Sequence, residues 1–270
     1  MQNEVQTFYD QYAEKEWARF EDPLGILEFS TGRHLISKYL KGSGAVCDIG
    51  AGSGRYCEFL ARLGYEATFV DLSPELVAIA RKNLSERGIE ISDFVCGSAT
   101  DLSMFDDAQF DQALLMGPMY HLVEKEERQS ALSELRRIIK PGGMAVVTYF
   151  GSYGMLRLGI ADLANRFQNI AELERFLHPA SFSSTELVGF TASHFSTPDV
   201  IATELKDAGL SVVSYASAQG FAGGIRGDLE KLFDECRPAF DNVVDVAVRY
   251  CEDKRFRDLG QHLHYVVSKA

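Results

Sequence analysis

The stretch VCDIGAGSGRYCEFL, residues 46–60, sets Gly50, Gly52 and Gly54 at alternate positions between an apolar run bearing Asp48 and a helical pattern. A glycine turn after a strand lets a ligand approach the backbone, because no Cβ stands in the way. Open α/β sheets bind ligands at that carboxyl end. Asp71 closes the next apolar run, about twenty residues on, where a carboxylate can accept from both hydroxyls of a ribose. Together these residues point to a nucleoside cofactor. A dinucleotide fingerprint needs G-x-G-x-x-G, but here Arg55 stands where its third glycine belongs. Asp48 would also repel a pyrophosphate and favour a cation. The phosphate-free nucleoside cofactor that carries an ammonium and a sulfonium is S-adenosylmethionine, so Asp48 selects it over a nicotinamide dinucleotide.

Hydrophobic periodicity outlines the elements that must hold these residues. AVCDIG (45–50) and EATFVDL (66–72) read as buried strands, with a helix from Arg55 to Leu63 between them that Gly64 stops. Ser73 and Pro74 form an N-cap and first-turn pair for a helix that runs to Gly88. ISDFVCGSA (91–99), FDQALLMG (110–117) and MAVVTYF (144–150) are the third to fifth strands. A helix from Glu127 to Ile139 precedes the fifth and is ended by Lys140, Pro141, Gly142 and Gly143. Alternation of this kind implies a parallel sheet flanked by helices on both faces. Residues 1–44 read as helical, and 151–194 as a mostly helical insertion with no strand pattern. TPDVIATELKDAG (197–209) then reads as a capped helix, LSVVSYASAQG (210–220) as a sixth strand, 228–253 as helical and HLHYVVSK (262–269) as the last strand.

Composition narrows the partners. The chain has 270 residues and a formal net charge of −12, which repels phosphate backbones and argues against nucleic acid. No apolar run approaches the roughly 18 residues of a membrane span, and the polar, acidic N-terminus does not read as a signal peptide. A cytoplasmic address and no membrane partner are expected. Five cysteines form no CxxC pair and read as reduced thiols, with Cys47 and Cys96 packed as small hydrophobes in buried strands. His262 and His264 share a strand face and read as a surface pair, so no metal site is expected.

From Val46 to Phe150 the chain resembles the class I S-adenosylmethionine-dependent methyltransferases. DIGAGSG, VDLSPELVAIA, CGSATDL, FDQALLMGPMYHL and LRRIIKPGGMAVVTYF follow in that family's order and spacing. HFSTPDVIATELKDAGLSVVSYASAQG resembles its sixth-strand unit. The resemblance implies an α/β fold: a Rossmann-like, doubly wound, seven-stranded sheet of order 3-2-1-4-5-7-6 with strand 7 antiparallel. Its core would span 45–150 and 195–270, with 1–44 as an N-terminal helical lid and 151–194 as a helical cap. It implies that Asp48, Gly50 and Gly52 hold the methionine end of the cofactor and that Asp71 binds the ribose. Leu72 would pack on the adenine, Ser98 and Ala99 would sit at its edge, and Met116 and Gly117 would line the methyl end. Many members carry an acid at the Ser98 position; serine can still accept from the adenine amino group.

Methyl transfer is an in-line displacement in which an enzyme mainly supplies proximity and alignment. A base is needed only where the acceptor must lose a proton. MGPMYHL (116–122) lies where the acceptor should meet the methyl group. Nucleobase amino-methyltransferases place an Asn/Asp-Pro-Pro-Tyr type motif there, and Gly117 lacks its hydrogen-bonding side chain. His121 is the first candidate for a base or a substrate-orienting group; the alternative is a structural contact to a backbone carbonyl. Tyr120 reads either as a substrate or cofactor contact or as packing. Tyr9, Tyr12 and Trp17 lie on the lid helix at spacings of three and five, so at least one should face the site, with Tyr12 or Tyr9 on the cofactor. Arg19, and Glu28 with Phe29, read first as surface or core residues, with an inward orientation as the alternative; Arg55 reads first as a solvated helix start, with a carboxylate contact as the alternative. In the cap, Arg157, Arg166, His178 and His194 are the polar candidates, and most of Phe167, Phe176, Phe182, Phe190 and Phe195 should serve the cap's own core. The resulting expectation is a methyltransferase that alkylates a small-molecule oxygen, nitrogen, sulfur or carbon and releases S-adenosylhomocysteine, as a monomer or homodimer. A non-catalytic S-adenosylmethionine-binding module, or a methyltransferase acting on a protein or nucleic acid through an open groove, is the alternative.

Overall fold

The structure, a computed structural model, describes residues 2–162, 168–184, 186 and 190–269. Strands β1 (Gly44–Ile49), β2 (Tyr65–Asp71), β3 (Asp93–Cys96), β4 (Phe110–Leu115) and β5 (Ile139–Gly151) pair in parallel in the order β3-β2-β1-β4-β5. Beyond β5 lies β9 (His262–Lys269), antiparallel both to β5 and to β8 (Leu210–Ser217). This is the expected order 3-2-1-4-5-7-6, with β9 as strand 7.

Alternate residues of each strand face opposite sides, and helices cover both. On one side Leu114, Val146 and Val266 pack with Leu35 and Ile36 of α2 (Pro23–Tyr39). On the other, Leu115, Val147 and Tyr265 pack with Leu132 and Leu135 of α5 (Lys125–Ile138) and with Ile201 and Leu205 of α8 (Pro198–Asp207). Helices α3 (Arg55–Arg62) and α4 (Pro74–Glu86) start where the glycine turn and the Ser73 cap place them, Ser73 Oγ accepting from the Leu76 N–H. α1 (Gln2–Ala18) precedes α2 and packs against α4. No described helix is long and apolar enough to cross a membrane.

Four sequence expectations are corrected. The insertion holds α6 (Ser152–Asp162) and α7 (Ile170–Arg175) but also strand β6 (Ala180–Phe182), which pairs with β7 (Ser193–Ser196). β4 ends against β5 at Leu115–Val147, and β7 then joins β5 at Phe150 and Gly151, so the ribbon continues the sheet above β4. The Lys140–Gly143 turn is a bulge inside β5: Ile139 pairs with Phe110 and Met144 with Gln112, and the Lys140 ammonium anchors it to Asp111 at 2.7 Å. The helical stretch 228–253 breaks at Cys236 into α9 (Arg226–Glu235) and α10 (Arg237–Arg249), since Pro238 fits a first turn and not a helix interior. Cys96 is exposed because β3 is the edge strand, whereas Cys47 is fully buried; all five cysteines are free.

Candidate active site

The β1–α3 turn is held by the Gly50 and Ala51 N–H groups, which donate to the Val70 carbonyl at 2.8 and 3.0 Å. Gly50 sits at φ 70° and a Cβ there would fall 2.4 Å from Pro118 Cδ, so glycine lets the turn nest against the loop after β4. Gly52, at φ 57°, donates its N–H to Asp71 Oδ2 at 2.8 Å, and Asp71 Oδ1 accepts from the Ser73 N–H at 3.0 Å. Asp48 accepts from the Cys57 thiol at 3.3 Å. Both carboxylates are buried. Burial pushes the Asp48 carboxyl up to about 7 and that of Asp71 up to about 6.

These groups open into one cavity. Asp48, Gly50, Gly52, Asp71, Leu72, Ser98, Ala99, Met116, Gly117, Tyr120 and His121 all line it, so of the residues expected at the cofactor and the methyl end the structure brings together all but one. The exception is Tyr12, which is 37% exposed and stacked on Phe8, with centroids 4.5 Å apart. Tyr9 lines the cavity instead, with Val5 and Glu16 from the same face of α1. Tyr12 falls at the border of that face, so helical spacing alone does not separate the two tyrosines.

His121 is buried, with Nε2 2.8 Å from the Tyr9 hydroxyl and Nδ1 3.4 Å from the Ala192 carbonyl oxygen. Burial lowers the imidazole to about 4, so it is neutral. Tyr120 lines the cavity and also stacks on Phe150, with centroids 3.9 Å apart and planes at 8°, joining the cap core of Phe176, Phe182 and Phe195. The ring thus packs in the cap core and is also presented to the cavity.

Arg19 takes the inward orientation, the alternative to its first reading as a surface or core residue, and lines the cavity. Its Nε donates to Glu16 at 2.7 Å and its Nη1 to both Glu28 oxygens at 3.0 and 3.1 Å. Burial works to raise the Glu28 carboxyl, but Arg19, with His262 and His264, outweighs it and holds the group at about 2. Only the Glu16–Arg19 spacing could have signalled this cluster. His262 and His264 are not a surface pair: β9 is an interior strand, His264 Nδ1 lies 2.7 Å from Thr148 Oγ1, and His262 Nδ1 lies 3.5 Å from Glu28.

Other candidates stay out of the cavity. Arg55 packs over Trp17, 3.9 Å from Glu21. Arg157 donates to the Gly223 carbonyl, His178 is exposed, and His194 lies 3.0 Å from Ser181 Oγ within the β6–β7 ribbon. Phe190 meets His121 and Phe8, each with centroids 5.5 Å apart. Arg166 and Phe167 lie outside the described residues. Among the described residues, one group has metal-ligand spacing: His34, Cys251 and Glu252. None lines the cavity, and Glu252 already accepts from Lys38, Tyr39 and Ser214.

Residues 46–143 match the family model described as a methyltransferase domain. A ubiquinone biosynthesis O-methyltransferase of Xanthomonas axonopodis pv. citri is 36% identical over 109 residues, which cover 40% of this chain and 44% of that relative. The chain thus matches less than half the length of this curated relative. Among solved structures, a SAM-dependent methyltransferase from Methanosarcina mazei aligns over 87% of this chain and 96% of its own at 18% identity and a TM-score of 0.59. The 1,6-didemethyltoxoflavin-N1-methyltransferase of Burkholderia thailandensis, solved with S-adenosylhomocysteine, aligns over 90% and 78% at 16% identity and a TM-score of 0.55. At these identities the structures share the fold.

Proposed function

From a chain whose residues 46–143 form a class I S-adenosylmethionine-dependent methyltransferase domain, we propose an enzyme that methylates a small-molecule hydroxyl or amine. The observation that carries this reading is the pair of buried carboxylates, Asp48 and Asp71, near the carboxyl ends of the paired strands β1 and β2, both lining the cavity and raised by burial. Neither has a cationic partner among the described residues. S-adenosylmethionine fits this pair of acceptors: Asp48 would hold its ammonium and Asp71 its ribose hydroxyls. No phosphate has to be accommodated.

When bound, the cofactor supplies an electrophilic methyl group on sulfur. Of the cavity-lining residues, Leu72, Ser98 and Ala99 would hold the adenine side, and Met116, Gly117 and Tyr120 would line the methyl end. Val5, Tyr9 and Glu16 of α1 line one wall of the cavity, and the Ala192 carbonyl, just before β7, lies against His121. His121 Nε2 takes the proton that the acceptor loses. A concave cavity lined from the strand ends, α1 and the loop after β4 favours a small acceptor over a polymer, and the O-methyltransferase name of the curated relatives favours a hydroxyl. We place the enzyme in the cytoplasm, where its five free cysteines stay reduced.

Calorimetric titration with S-adenosylmethionine and S-adenosylhomocysteine tests the reading. Binding of both, weakened by Asp71→Ala, supports it and licenses an acceptor screen by S-adenosylhomocysteine release. Protein stripped of ligand that binds neither sinks it. Binding without turnover of any enclosed acceptor would favour a non-catalytic cofactor-binding module.

A further inference from the structure

Both ring nitrogens of His121 are engaged, one by the cap and one by α1. A carbonyl oxygen only accepts, so the contact to Ala192 assigns the ring proton to Nδ1. Nε2 then presents a lone pair, and the Tyr9 O–H donates to it at 2.8 Å. Burial keeps the imidazole neutral and raises the Tyr9 phenol well above its usual value, so the pair is phenol and imidazole, not phenolate and imidazolium. An imidazole nitrogen has a single in-plane lone pair. While Tyr9 donates to it, His121 cannot receive an acceptor's proton.

Tyr9 is placed to control that nitrogen. It sits on the cavity-facing side of α1. The helix is tied down on either side of Tyr9: Ser73 Oγ donates to Asp10, and Phe8 meets Phe190 edge-on with planes at 75°. Phe190 in turn packs against His121. Lid helix, cap and base thus meet at one point.

We propose that Tyr9 gates His121: its hydroxyl holds the place of the acceptor's O–H or N–H, and the acceptor docks by replacing that donor on Nε2. This rests on the methyltransferase reading with His121 as base. It narrows the acceptor to a molecule that donates a hydrogen bond from the atom to be methylated. Hydroxyls and N–H amines qualify; carbon nucleophiles, thioethers and tertiary amines do not. Tyr9 is a positioning residue, not the base, since its phenol stays protonated.

The test uses the full chain labelled with [15N]histidine, in wild-type and Tyr9→Phe forms, with His121→Gln assigning the His121 ring signals. Two quantities are read: the ring nitrogen shifts of His121, and its carbethoxylation rate by diethyl pyrocarbonate, which attacks an unprotonated nitrogen, followed by peptide mass. The expected result is an Nδ1–H tautomer in the wild type. In Tyr9→Phe, Nε2 should move toward its unbonded shift and carbethoxylation at His121 should rise by about tenfold, the scale of one hydrogen bond. An Nε2–H tautomer in the wild type overturns the gate, and that readout needs no variant to fold. Unchanged Nε2 shift and rate in a folded Tyr9→Phe protein overturn it too. Titration of the wild type with S-adenosylhomocysteine separates the two claims. Absence of binding defeats the methyltransferase reading itself, whereas binding with the wrong tautomer defeats only the gate.

Discussion

Asp48 carries an electrostatic cost that the cofactor is suited to relieve. Its carboxyl is raised by burial to about 7 in the folded chain, against roughly 3.9 when unfolded. Between those values the unfolded chain has released its proton while the folded chain retains it, so this group's contribution to stability falls as pH rises from about 4 to about 7 and is fully lost above. Asp48→Asn removes that slope. Without cofactor, the variant should be more resistant to urea than the wild type at about pH 8 and nearly equal at about pH 4. Its affinity for S-adenosylmethionine should fall on the order of 30-fold or more, the scale of a lost buried charge pair. Urea melts at the two pH values with one titration check this; parallel melts would mean that Asp48 is ionised at no cost. His121 shifts the opposite way, to about 4. Under the proposed role as base, an imidazole neutral down to that pH should leave kcat/KM for the acceptor flat from about pH 5.5 to 8 at saturating cofactor. An acid limb near the ordinary histidine value of about 6.5 would show instead that the imidazole is solvated during turnover.

Among the elements, α5 fixes the loop that presents Tyr120 and His121. Arg128 is buried, its Nε donates to Glu204 of α8 at 2.9 Å, and its Nη1 donates to the Leu122 and Val123 carbonyls at 2.9 and 3.1 Å. One guanidinium therefore ties the loop after β4 to both helices on that face of the sheet. Arg128→Leu strands Glu204 and both carbonyls, and should cost roughly 3–5 kcal/mol in chemical denaturation. Arg128→Lys keeps the charge but not the fork, and should fall between; equal melts for all three proteins would show that water replaces the arginine. The same scale separates what was legible in the sequence from what was not. β1, β2, α3 and α4 announced themselves because Gly64, Gly88 and the Ser73–Pro74 cap punctuate them locally. Asp48, the glycines and Asp71 were legible as neighbours in one cavity because two adjacent strand ends and a turn bring them together within a short window. β6 and β7, of three and four residues, are too short to show a period. The Arg19–Glu28 pair and the His121–Ala192 contact, 71 residues apart, depend on which remote elements meet, and no local pattern records that.

At the scale of the whole molecule, charge should sort acceptors that share the required O–H or N–H donor. The chain carries a formal −12, and among the described residues the acids lining the cavity, Glu16, Asp48 and Asp71, outnumber the single cation, Arg19. That cation is already committed to Glu16 and to Glu28 behind it. The cofactor's ammonium and sulfonium against its one carboxylate offset only part of this excess. A cleft of one sign with low-dielectric walls focuses its field on whatever enters. Of two otherwise matched acceptors, the amide or amine should therefore show a higher kcat/KM than the carboxylate. The gap should shrink as ionic strength rises from about 20 mM to about 500 mM, because the long-range part of the field is screened over that range. Initial rates with such a pair at the two salt concentrations decide the matter. A carboxylate preferred at low salt would reverse the assignment of Arg19, because Glu16 and Glu28 would then have to yield the guanidinium to the acceptor. Arg19→Gln would separate the cases: it should abolish a carboxylate preference, whereas under the charge argument it should widen the preference for neutral acceptors.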